Sequence, residues 1–161
     1  MRHLIARLIR KLQGSRVVVP TPHAVEQAEE IFYIRHLCPG MVVFDVGANV
    51  GELSLLFSRF VGASGSVHAF EASPKTFERL AAVVAATGRM NIHLNQTGVA
   101  DKCGDRAFHQ YDDEHSGWST MATRNFSKYG IDLKPVESDL IQFTTLEDYC
   151  LHNQILLKHL S

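Results

Sequence analysis

The chain has 161 residues, 45% of them apolar and 20% charged, which fits one globular domain and excludes a disordered tail or a fibrous repeat. Sixteen Lys and Arg against seventeen Asp and Glu leave a net charge of −1, so nothing in the charge balance calls for a nucleic acid or an anionic membrane as partner. Cys38, Cys103 and Cys150 are widely spaced and form no CxxC pair. They indicate neither a disulfide framework nor a zinc ribbon, and a reducing, cytoplasmic setting is expected.

From Met1 to Gly14, Leu4, Ile5, Leu8, Ile9 and Leu12 recur at helical spacing with Arg2, Arg7, Arg10 and Lys11 between them. That segment lacks the unbroken apolar core and small-residue cleavage site of a secretory signal. It reads as a helix packed on its own domain, with a weak surface-binding helix as the alternative. Pro20 and Pro22 break the extended stretch that follows. A second helix is expected over His23–Leu37, stopped by Cys38-Pro39-Gly40. Residues 1–40 therefore read as a helical segment ahead of a domain over 41–161. No apolar run reaches the roughly 18 residues that a membrane span needs.

Met41–Val46 is a continuous apolar and β-branched run broken only by Asp45, the signature of a strand covered on both faces in a parallel sheet. It runs into Gly47-Ala48-Asn49-Val50-Gly51. A helix over Glu52–Val61 follows, with Leu53, Leu56, Phe57, Phe60 and Val61 on its expected apolar face. Ser66–Glu71 is the second strand. Ser73 is a cap and Pro74 a first-turn residue for a helix carrying Phe77, Leu80, Ala81, Val84 and Ala85, stopped at Gly88. Asn91–Ala100 reads as a third strand. Two successive βαβ units imply a right-handed, parallel α/β sheet. Beyond it, Arg106–Tyr111 and Leu140–Phe143 read as strands. Asp112–Ser138 reads as a polar excursion or hairpin, and Thr145 as the cap of a short helix.

The chemistry concentrates at the end of the first strand. Gly47 permits a positive φ and close approach of backbone to a ligand. The helix beyond it presents free N–H groups. Glu71 ends the second strand, 24 residues after Gly47, where a carboxylate can accept both hydroxyls of a ribose. A nucleoside-containing cofactor is therefore expected. The dinucleotide fingerprint GxGxxG is not met, because Asn49 and Glu52 occupy its second and third glycine positions. Asp45 would repel a pyrophosphate and suits a cationic ligand. An acid-x-Gly-x-x-x-Gly loop followed by an acid at the end of the second strand resembles the class I methyltransferases that use S-adenosyl-L-methionine. An NAD-binding Rossmann domain is the less favoured alternative.

Five stretches narrow the resemblance: Phe44–Arg59 (FDVGANVGELSLLFSR), Val67–Leu80 (VHAFEASPKTFERL), Thr97–Asp101 (TGVAD), Ser116–Met121 (SGWSTM) and Thr144–Cys150 (TTLEDYC). Together they resemble the FkbM family of methyltransferases, over about Phe44 to Cys150. The resemblance implies a Rossmann-like α/β sheet and a cofactor site made of Asp45, Gly47, Ala48, Asn49, Gly51, Glu71 and Ala72. It places Ala100 and Asp101 beside the adenine, with Asp101 accepting from its amino group, and Ser116–Met121 toward the acceptor. It implies methyl transfer to a hydroxyl of a small molecule or saccharide, with His115 and Asp113 as weak candidates for a general base. Family members continue into a Leu-Lys-Ile-Asp-x-Glu-Gly strand, of which only Leu156-Leu157-Lys158 is present. The expectation is a chain cut off before the fourth core strand, with about three parallel strands plus a hairpin. Such a chain would have an open sheet edge through which copies could associate, and an inactive remnant or cofactor-binding module is the alternative.

The remaining candidates read as structural. His109, Asp112, Asp113, Glu114 and His115 have metal-ligand chemistry but no ligand spacing, and no metal is expected. His68 and His93 fall in expected strands as core or edge residues. Trp118 reads equally as loop packing or as a substrate wall.

Overall fold

The computed structural model describes residues 31–33, 35–110 and 137–156. The chain divides into two units between Leu37 and Cys38. Of the first, residues 31–33 and 35–36 are helical, and the Leu37 N–H donates to the carbonyl of Tyr33 at 2.9 Å. The second expected helix thus ends ahead of Cys38-Pro39-Gly40. The Met1–Gly14 helix lies outside the described residues.

In the second unit, β1 (Val42–Val46), β2 (Ser66–Phe70) and β3 (Ile92–Asn95) form a parallel sheet in the order β1-β2-β3. Val42 to Val46 pair in register with Ser66 to Phe70, and Val67 to Phe70 with Ile92 to Asn95. Helix α1 (Glu52–Val61) connects β1 to β2, and α2 (Pro74–Thr87) connects β2 to β3. Two βαβ units therefore stand where the sequence places them. The centre is Val61, Val67, Ala69, Phe70 and Leu80, all fully or almost fully buried.

Two sequence readings are corrected here. The buried face of α1 is Ser54, Phe57, Ser58 and Val61, whereas Leu53 is exposed. The two serines can sit inside because each has a fixed partner: Ser54 bonds Asp45, and the Ser58 hydroxyl donates to Asn91 Oδ1 at 2.6 Å. A pattern of apolar residues alone is rotated by the width of one side chain. The expected third strand also splits. After Asn95, whose side chain turns back to the carbonyls of Ala69 and His93, the chain bends at Gln96-Thr97. It re-enters as β4 (Gly98–Val99) in a different sheet.

That second sheet has the order β4-β6-β5. The strands β5 (Gly104–Gln110) and β6 (Glu137–Thr144) form an antiparallel ladder, and β4 runs parallel to β6. The ladder begins earlier in β5 and in β6 than the strands the sequence suggests, and residues 112–136 of the expected excursion or hairpin lie outside the described residues. Phe108, Ile141 and Phe143 form its buried cluster, against Ala72 and Ala100. Gly98 lies so close under Phe143 that any Cβ there would overlap the ring. Helix α3 (Leu146–His152) follows, capped by Thr145, whose hydroxyl accepts the Asp148 N–H at 3.0 Å.

Tyr149 of α3 reaches the face of the parallel sheet. Its hydroxyl bonds His68 Nδ1 at 2.9 Å, and Ser66 Oγ lies 3.1 Å from Nε2 of the same ring. His68 is also stacked between Phe44 and His93. It is the structural histidine the sequence suggests, and it fixes α3 to β2. Burial, and then the charge of His93, lower its pKa from 6.5 to about 4. The unfolded chain takes up this proton near pH 6.5 and the folded chain only near 4, so acid in that window favours unfolding. NMR titration of the His68 ring should give a midpoint near 4, and His68→Gln should remove its share of the stability loss between pH 6.5 and 4. Gly98→Ala should cost about 1–3 kcal/mol in urea denaturation, because the Phe143 ring must move.

Candidate functional site

The carboxyl ends of β1 and β2 deliver two acids into one place. Asp45 is the fourth residue of β1 and is buried, with 7% exposure. Its carboxylate accepts the Ser54 hydroxyl at 2.5 Å and also the Ser54 backbone N–H. Ser54 is the third residue of α1, where backbone donors have no partner within the helix. The residue that should cap α1 is Gly51, which has no side chain to do so. Asp45 supplies that cap from the neighbouring strand. Its burial raises the carboxyl pKa, and the two Ser54 bonds pull it back down.

Glu71 follows β2 and is 8% exposed. Its Oε2 accepts the Asn49 N–H at 3.0 Å, and its Oε1 accepts the Ser73 N–H at 2.8 Å. The carboxylate therefore bridges the loop after β1 to the first turn of α2. Burial is again the largest influence and raises its pKa. The N–H bonds from Ser73, Asn49 and Ala72 oppose that, and the charge of Asp45 adds to the rise. Three of the carboxylate's roughly four lone-pair sites are taken by these N–H bonds, which leaves acceptor capacity for a further hydroxyl.

The loop between the acids is shaped by its backbone. Gly47 and Ala48 both donate their N–H groups to the Phe70 carbonyl at 2.9 Å, which ties the loop to β2. Gly47 has φ +80°, and a Cβ there would meet nothing within 4 Å, so its open side can admit a ligand against the backbone. Asn49 takes φ +51°, a conformation that only a few residue types adopt readily, and it is exposed. Gly51 serves a different purpose. At φ +90°, its Cβ would stand 2.6 Å from Leu80, so it lets α2 pack against the start of α1.

The structure thus brings Asp45, Gly47, Asn49 and Glu71 together, with Ala72 half-buried beside them. Ala48 is buried with its N–H committed to Phe70, and Gly51 is a packing residue. Ala100 lies against the hairpin cluster with Ala72. Asp101 follows Ala100 at the surface. Its side chain is 75% exposed and paired with Arg106 at 3.1 Å, while the guanidinium lies over the Phe143 ring. Ser54, Ser73 and Arg106 are the participants that sequence reading missed. A serine three residues into a helix that starts on a glycine is the one signal that could have exposed Ser54. The general-base and acceptor-side candidates, Asp113, His115, Ser116–Met121 and Trp118, lie outside the described residues, as does the side chain of His109.

The family description "Methyltransferase FkbM domain" matches residues 45–156, which begins at Asp45 itself. The chain belongs to the FkbM methyltransferase domain family. Its relatives include the 31-O-demethyl-FK506 methyltransferase FkbM of Streptomyces tacrolimicus, 42% identical over 84 residues that make up 50% of this chain and 32% of that protein. Protein-L-isoaspartate O-methyltransferase 1 of Arabidopsis thaliana is 29% identical over 109 residues, 68% of this chain and 43% of the relative. The chain therefore spans 32% and 43% of the lengths of these two curated relatives. Among solved structures, an S-adenosylmethionine-dependent methyltransferase from Aquifex aeolicus aligns with a TM-score of 0.41 at 25% identity, over 56% of this chain and 46% of that one. The cofactor that goes with the FkbM domain is S-adenosyl-L-methionine. The residues present fit it: the loop backbone is open at Gly47, and the buried carboxylates of Asp45 and Glu71 beside it suit a group that carries positive charge and a ribose.

In this FkbM domain, Ser54→Ala should leave a buried carboxylate short of a donor. A loss of about 1–3 kcal/mol in chemical denaturation is expected, with Ser54→Thr retaining part of it.

Proposed function

We propose that this chain binds S-adenosyl-L-methionine at the carboxyl edge of β1 and β2 and serves O-methyl transfer to a hydroxyl of a small-molecule or saccharide acceptor. The observation that carries the reading is Glu71, buried and held at both oxygens by backbone N–H groups of the two segments that frame the open side of Gly47. Glu71 accepts from the ribose diol with its remaining acceptor capacity. Asn49 and Gly47 line the loop that receives the amino-acid end, and Asp45 holds that loop in shape through Ser54. Ala72 and Ala100 offer apolar surface to the adenine. Asp101, committed to Arg106, is not assigned to it.

The cofactor supplies a methyl group made electrophilic by its bond to a sulfonium. The chain's own contribution is orientation and exclusion of other geometries, the effect on which such a displacement depends most. The proton of the acceptor hydroxyl needs a base, and none of the described residues is assigned to it. The three cysteines are all free, which supports a reducing, cytoplasmic setting. No described helix is long and apolar enough to cross a membrane.

A second reading, cofactor binding without methyl transfer, is favoured by one observation. Among the described residues β1 stands at an edge of its sheet, and Val42 and Val46 are 46% and 52% exposed. Transfer of labelled methyl to a hydroxyl acceptor by the purified chain would exclude it.

Calorimetric titration with S-adenosylhomocysteine tests the binding. Glu71→Ala should weaken it by about ten-fold or more, since charge-assisted hydrogen bonds are worth about 1.5–3 kcal/mol. Unchanged affinity in a folded variant would sink the reading.

A further inference from the structure

The opposite end of the sheet carries a site of different chemistry. A cavity of about 420 Å³ opens at the amino ends of β2 and β3, between the end of α1 and the start of β3. Ser58, Arg59, Gly62, Arg89, Asn91 and His93 are among its lining residues, and no carboxylate among the described residues lines it. Two guanidinium groups and an imidazole converge there without an acid to neutralise them.

The floor is built. Ser58 is fully buried. Its hydroxyl donates to Asn91 Oδ1 and accepts Arg89 Nη1 at 3.2 Å, so Arg89 is held in place from below. Asn91 Nδ2 donates to the carbonyls of Ser58 and Gly62, at 3.1 and 2.8 Å. That detail decides what the arginines are for. Cations at the end of a helix commonly answer its exposed carbonyls. Here the Ser58 carbonyl also accepts the Gly62 N–H, and Asn91 serves both carbonyls. Arg89 keeps most of its five donors, and Arg59 has no hydrogen-bond or ion-pair partner among the described residues. His93, exposed and stacked on His68, adds a ring N–H.

The geometry points to a phosphoryl-binding site in this cavity, with Arg89, Arg59 and His93 as donors. A guanidinium fork matches two oxygens of a phosphate, and the cavity volume lies in the range of small-ligand sites. The ligand class is a phosphomonoester of a small molecule, with free phosphate as the other source of the same chemistry. The site does not depend on the cofactor reading. β2 alone, five residues long, puts about 17 Å between the two ends.

The test uses the full chain, with inorganic phosphate and glycerol 3-phosphate added at constant ionic strength and histidine and arginine side-chain NMR signals observed. Saturable shifts of His93 and Arg89 at millimolar ligand or below are expected. Arg59→Gln, at an exposed position, should weaken them at least five-fold, and Arg89→Gln at least ten-fold. S-adenosylhomocysteine affinity should not change in either variant. Tighter binding of the ester assigns an esterified ligand, and equal binding assigns free phosphate. Both outcomes uphold the site. Shifts that chloride reproduces, shifts that do not saturate, or full retention of binding in the doubly substituted, folded variant would overturn it.

Discussion

A carboxylate removed from water must be given donors, or it will draw a proton or unfold its surroundings. This domain places two such groups at the carboxyl ends of adjacent strands, and the local architecture follows from satisfying them. Asp45 is answered by the hydroxyl and amide of Ser54, which fixes where α1 begins. Glu71 is answered by the amides of Asn49 and Ser73, which fixes the loop after β1 against the start of α2. Both helices are thus anchored at their first turns by acids from the sheet. In the function proposed above, the same satisfied acids meet a cationic, ribose-bearing ligand. Structural and binding demands coincide in one small set of hydrogen bonds.

Much of this was legible in the sequence, for physical reasons that differ between elements. The βαβ units were readable because a strand buried on both faces has a nearly continuous apolar run, as in Val42–Val46, and because Ser73-Pro74 and Gly88 mark the ends of α2 with residues suited to those positions alone. Glu71 was readable because an acid at a strand end is conspicuous after an apolar run. The polar interior was not. Ser54 and Ser58 look like solvent-facing residues until their partners are known, and those partners, Asp45 and Asn91, lie nine and thirty-three residues away. The bend after Asn95 was equally hidden. It depends on a side chain turning back to its own strand and its neighbour and on Gly98 accepting an aromatic ring.

Asp101 shows how a motif can point to a region of the fold without fixing what its side chain does there. The segment after β3 does lie beside Ala72, through the Phe108, Ile141 and Phe143 cluster. The acid itself faces outward to Arg106, which also covers Phe143. An acid that follows a strand has two neighbours to choose between, a ligand on one side and its own hairpin on the other. Sequence order does not rank them.

The Ser58–Asn91–Arg89 network has a further consequence when it is set beside the paired acids at the other end of β2. One end of the parallel sheet gathers negative side chains and the other gathers positive ones, while the chain as a whole is nearly neutral. Among the described residues, the two ends of β2 thus offer side chains of opposite charge. A cationic ligand and an anionic one, diffusing toward the domain at low ionic strength, are drawn to opposite ends. On the two proposals made above, ligands of opposite charge would meet different side chains and not compete for them.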